Sequence, residues 1–159
     1  MSGIGQFMEI AESGSPEDIF RQLDQLVQES IGAIIFTCST FDARTRMARR
    51  VYTNQTDAYP ISGLKEVTPN LWTEVVLDRG ETFVANSISD IAQVFPDHEL
   101  IARLGCGSVV NLPVKLASRF LGTVNMLHEP DYFTEERMGR LPMIKPAAAL
   151  AFAALTLEF

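Results

Sequence analysis

The chain has 159 residues, 47% apolar and 21% charged, proportions that fit one soluble globular domain with a substantial core. A net charge of −7 argues against nucleic acid or an anionic membrane as the main partner. Two cysteines, Cys38 and Cys106, suggest neither a metal site nor a disulfide scaffold and fit a reducing cytoplasm; no signal peptide is evident, and the apolar stretch 147–157 is too short to span a bilayer.

Residues 1–14 read as an N-terminal extension, with a turn or two of helix over 4–12. Ser15, followed by Pro16, Glu17 and Asp18, opens a helix: a capping hydroxyl, a proline at the first position, and acids in the first turn. Ile19, Phe20, Leu23, Leu26, Val27 and Ile31 give that helix one apolar stripe, and Gly32 ends it. Residues 33–41 form a strand in which Cys38 shares the parity of Ile34 and Phe36 and so belongs to the core. A turn over 42–45 leads to a return strand over 46–53, whose Arg46, Arg49 and Arg50 suggest an edge with one wet face. Residues 54–67 are a loop. Thr68-Pro69 restarts a helix carrying Leu71, Trp72, Val75 and Val76, which ends before Gly80. A short strand over 81–85 follows. Asn86 or Ser87 then caps a short helix through Val94, and Asp97 caps another through Leu104, stopped by Gly105.

The stretch 106–128 alternates with period 2 in two runs, which reads as a β-hairpin. A three-residue loop at 117–119 pairs Leu116 with Phe120, Leu112 with Val124, and Asn111 with Asn125. All even-numbered residues, Phe120 included, then share one apolar face that calls for a cover of helices. The odd face is mixed: Asn111 and Asn125 lie side by side among Val109, Thr123, Leu121 and Leu127, as in the wall of a small-molecule pocket.

Thr134, Glu135 and Glu136 open the last helix, which Pro142 and Pro146 must kink or break. From Pro146 the chain is apolar on every side. If Leu150, Ala153 and Leu157 cover the sheet, Ala148, Phe152 and Leu155 are left bare, and a homodimer through the segment 146–159 is expected.

The run SVVNLPV, a short turn, FLGTVNML, then FTEE and an alanine-rich helix resembles the C-terminal half of a GAF domain. TPNLWTEVVLDRGETFVAN resembles the helix, glycine turn and short strand of the GAF middle. The likeness covers residues 16–157 and rests on element order and on Pro113 and Gly122. It implies a single α+β domain over 1–159, of a GAF-like, PAS-related kind. A central antiparallel sheet would carry the terminal helices on one face and a ligand pocket on the other. It also implies a small-molecule-binding sensory or regulatory domain without catalysis, standing alone and signalling through a partner or its own dimer.

The candidate ligand-binding residues are Asn111, Asn125, Cys106, Tyr59, Trp72, Val109, Thr123 and Tyr52. The pocket would be closed by the 54–67 loop and the helices over 69–79 and 87–104. The two amides either orient a ligand with their free donors and acceptors, or face solvent, or satisfy each other as a ladder. Tyr52, Tyr59 and Trp72 are of a kind that usually packs in a core, and are also what a pocket wall uses. Arg49 and Arg50 are solvated edge charges, or one of them clamps a ligand carboxylate. Asp90 and Asp97 read as cap or surface acids, and neither His98 nor His128 has metal-ligand spacing. The alternative is a thiol enzyme resembling free methionine sulfoxide reductases, in which Cys106 alone is placed for catalysis. Cyclic nucleotides and tetrapyrroles are also ligands of the family resembled, but no residue pattern marks either, so the cofactor is unnamed.

Overall fold

A computed structural model describes residues 3–157 of the chain. Its strands are β1 (Ile35–Asp42), β2 (Met47–Thr53), β3 (Lys65–Glu66), β4 (Phe83–Ala85), β5 (Ser108–Leu116) and β6 (Arg119–His128). They form one six-stranded antiparallel sheet in the order β3-β2-β1-β6-β5-β4. Both edges are strands of two or three residues, which leaves little backbone for a foreign strand to pair with. The helices are α1 (Gly3–Ser13), α2 (Pro16–Ser30), α3 (Ile88–Ala92), α4 (His98–Arg103), α5 (Glu135–Met138) and α6 (Leu141–Ala154), with a π-helical segment at Thr73–Asp78.

Local chemistry explains several of these boundaries. Ser15 and Asp18 form a reciprocal capping box at α2, the Asp18 amide donating to Ser15 Oγ at 3.2 Å and the Ser15 amide to Asp18 Oδ2 at 3.0 Å. The expected N-terminal extension is the full helix α1, which buries Phe7 against the core. The helix after the long loop starts later than Thr68: Asn70 and Thr73 exchange side-chain bonds, the Thr73 amide donating to Asn70 Oδ1 at 2.9 Å. Ser87 caps α3 by accepting from the Asp90 amide at 3.2 Å.

The hairpin β5–β6 pairs Asn111 with Asn125 and Leu112 with Val124. Near its turn it departs from the expected register. Ala117 (φ 51°) and Ser118 (φ 63°) both adopt left-handed backbone, so the turn has two residues, and Leu116 pairs with Arg119. A bulge between Val114 and Lys115 absorbs the extra residue. It turns Phe120 to the face opposite the helices, where its ring meets Phe41 at 5.6 Å, and sends Leu121 to the helix side.

The even face of the hairpin, with Phe36 and Cys38 of β1, is covered by α2 and α6, and α1 packs over those two. The seating of α6 corrects the expected one. Ala148 and Phe152 are buried, whereas Met143, Leu150 and Leu157 are exposed. Phe152 stands edge-on to Phe20 at 5.3 Å and lies against Gly122. A Cβ on Gly122 would collide with the Ser39 carbonyl oxygen and come within 2.6 Å of the Phe152 ring, so only glycine admits this approach. The helix lies on the sheet beside α2, with α1 over both, and the bare face that suggested a homodimer is filled from within the chain. The break expected near the prolines falls just before Pro142. The helical run is interrupted at Gly139-Arg140, Pro142 falls in the first turn of α6, and Pro146 is carried inside the helix. Residues 1–2 and 158–159, parts of the expected extension and terminal helix, lie outside the described residues.

Candidate ligand-binding site

The face of the sheet away from α2 and α6 forms the floor of a cavity of about 260 Å³. The floor is Thr37 and Ser39 of β1, Val109 and Asn111 of β5, and Thr123 and Asn125 of β6. Its wall comes from the long loop (Tyr59, Val67), the segment around the π helix (Trp72, Leu77) and the α3–α4 region (Phe95, Ile101). This volume is just below the ~300–1,000 Å³ usual for drug-sized ligands, and the composition is typical: mostly apolar with a few convergent polar groups.

Those polar groups form a directed chain. Trp72 Nε1 donates to Asn111 Oδ1 at 2.8 Å, Asn111 Nδ2 to Asn125 Oδ1 at 2.8 Å, and Asn125 Nδ2 to Thr37 Oγ1 at 3.2 Å. An indole N–H can only donate, so the atom of Asn111 facing it must be the carbonyl oxygen. That choice turns the Asn111 amide nitrogen toward Asn125 and, in turn, the Asn125 nitrogen toward Thr37. Asn111 is 3% exposed and Thr37 6%, so each needs such a partner. One N–H of each amide and the Thr37 hydroxyl proton are left over for the cavity.

A second polar group closes the other side. Tyr59 donates a short hydrogen bond to Asp97 Oδ2, and the Arg50 guanidinium lies 5.1 Å from the Tyr59 ring centre. Burial and the bond to Asp97 push the Tyr59 hydroxyl well above its usual range, so it is protonated and donates. Burial also lowers Arg50, with Tyr59 and Asp97 opposing that shift. Asp97 stands at the start of α4, yet its carboxylate makes no capping bond and serves Tyr59 instead. Arg50, expected on a wet strand face, is half-buried in the cavity wall.

Six of the eight candidate residues line the cavity: Asn111, Asn125, Tyr59, Trp72, Val109 and Thr123. Tyr52 does not. It pairs with Cys38 and shares that residue's face, stacking on Phe20 at 6.2 Å and donating to Asp24 Oδ2 at 2.8 Å beneath α2. Cys106 does not either. It is 4% exposed and packs with the lining residues Ile35, Ile101 and Val109 without reaching the cavity. Thr37, Ser39, Thr40, Arg50 and Asp97 complete the polar lining. Thr37 was open to discovery, since its parity is opposite to that of Cys38. Asp97 was not, because an acid at a helix start has an ordinary explanation.

Burial raises the Cys106 thiol from 9.0 to about 11 and pushes Cys38 up as well. The thiolate fraction of Cys106 at pH 8 is then about 100-fold below that of an unburied thiol. Native protein at pH 8 should resist iodoacetamide at both cysteines, reactivity should climb as the pH approaches 11, and denaturant should expose both. Rapid labelling of Cys106 in native protein at pH 8 would contradict this burial. Among the described residues no group of His, Cys, Asp or Glu is arranged to hold a metal, and no helix is long and apolar enough to cross a membrane.

No family model and no curated protein matches the chain by sequence. Solved structures match it by fold. The GAF domain of an Acinetobacter phosphoenolpyruvate-protein phosphotransferase superposes with a TM-score of 0.72 at 14% identity, covering 98% of this chain and 98% of that one. The chain has the GAF fold. The GAF domain of a two-component sensor histidine kinase from Bacillus halodurans gives 0.71 at 12% identity, covering 87% of this chain and 94% of that one. A free methionine-R-sulfoxide reductase from Neisseria meningitidis, solved with its substrate, gives 0.58 at 14% identity, covering 94% and 86%. These superpositions establish the GAF fold, and identities this low leave the ligand to be read from the cavity itself.

Proposed function

We propose that the chain is a small-molecule-binding sensory or regulatory GAF domain of the cytoplasm that acts without catalysis. The observation that carries this reading is the cavity on the GAF sheet, whose apolar walls surround an oriented line of amides with donors to spare. The buried position of both thiols favours binding over thiol chemistry. Output then passes through a partner protein or a homodimer.

Protein purified from its own host should release a near-stoichiometric small molecule on denaturation, identifiable by mass spectrometry. It should not reduce free methionine sulfoxide with dithiothreitol as reductant. Absence of any released molecule, together with no thermal shift across a metabolite library, would overturn the binding function. Turnover of the sulfoxide that Cys106→Ser abolishes would replace it with the reductase activity.

A further inference from the structure

The guanidinium of Arg50 is only partly used. Its Nη1 donates to the Pro60 carbonyl oxygen at 3.0 Å. Its Nε is buried, and among the described residues neither Nε nor Nη2 has a hydrogen-bond partner. Nε–H and Nη2–H point the same way and form the edge of arginine that receives a carboxylate through two parallel bonds. An unpartnered buried donor is costly, and a cationic one more so, unless something arrives to meet it. Arg50 lines the cavity, so what arrives comes through the cavity.

We propose that the cavity takes a small monocarboxylate with an apolar body, its carboxylate seated on the Nε–Nη2 edge of Arg50. The inference rests on the ligand-binding function proposed above and names the chemical class. Three observations narrow that class. The volume of about 260 Å³ limits the ligand to metabolite size. The apolar body would lie among Trp72, Phe95, Ile101 and Val109, which line the same cavity. Asp97 lines it too, and its Oδ1 accepts no hydrogen bond among the described residues. That carboxylate repels a second negative charge, so dicarboxylates and phosphates are disfavoured, whereas the ammonium of an α-amino acid is accommodated. The leftover amide protons of Asn111 and Asn125 and the Thr37 hydroxyl suit further oxygen acceptors on the ligand.

The test is a calorimetric titration of the full chain, stripped of bound ligand by unfolding and refolding. The panel is 4-methylpentanoate, 3-phenylpropanoate, indole-3-acetate and leucine, each beside its carboxamide, with phenylsuccinate as a dianion. At least one acid should bind tenfold or more tightly than its amide and tighter than the dianion. In Arg50→Lys and Arg50→Gln the ratio of acid to amide affinity should fall toward one. The ratio is the readout because damage to the loop lowers both affinities together. Equal affinities for acid and amide in the wild type would overturn the carboxylate assignment while leaving a binding cavity. An acid preference that survives both substitutions would overturn the role of Arg50. Failure of the whole panel would overturn the class, and the molecule released from host-purified protein then judges the binding function separately.

Discussion

Phe152→Glu should abolish cooperative folding rather than change the assembly state. Phe152 is 2% exposed and closes the seam between Phe20 of α2 and Gly122 of β6. Truncation alone, as in Phe152→Ala, is expected to cost about 3–5 kcal/mol, a fall in Tm of about 6–20 °C for a chain of this size. A buried, unpaired carboxylate adds a desolvation cost, and domains of this kind have only about 5–15 kcal/mol in total. Urea denaturation followed by circular dichroism measures both variants. A Phe152→Glu protein that unfolds with the wild-type midpoint and sediments as one chain would mean that this face of α6 is not packed on the sheet.

The second large effect is expected at Asn111. Asn111→Leu keeps the branching at Cγ but leaves the Trp72 indole N–H and the Asn125 carbonyl oxygen without partners. Each orphan costs about 1–3 kcal/mol, so the variant should lose about 2 kcal/mol or more. Trp72→Phe in the same background removes one of those orphans. The double variant should therefore be less destabilised than the sum of the two single ones, a coupling that a double-mutant cycle reads directly. Simple additivity would show that the indole and the amide do not meet.

Much of this architecture was legible because its signals are local. The capping box at Ser15, the alternation of the hairpin and the pairing of Asn111 with Asn125 each depend on residues close in sequence. The GAF fold was legible in the same way, from element order together with Pro113 and Gly122. Local signals mislead where a distant element decides. Aromatics near a loop suit a cavity wall, but the pairing of Tyr52 with Cys38 turns it under α2. The bulge that flips Phe120 has no sequence mark beyond two ordinary residues, Ala117 and Ser118, in left-handed backbone. The face of α6 that meets the sheet could not be read from a segment apolar all round, since such a segment has no preferred side. The polar end of the cavity combines β2, the long loop and the start of α4, and no spacing rule connects Arg50, Tyr59 and Asp97.

The chain contains a single tryptophan, and it is the one that heads the amide line in the cavity wall. All indole fluorescence of the protein therefore originates at the site. Its wavelength reports how far water reaches one bond, from Trp72 to Asn111, and a guest that displaces water or tugs the amide alters the colour and yield of that light. Nothing elsewhere in the molecule contributes a competing indole signal. The domain carries its own optical indicator of occupancy, with no dye or tag required.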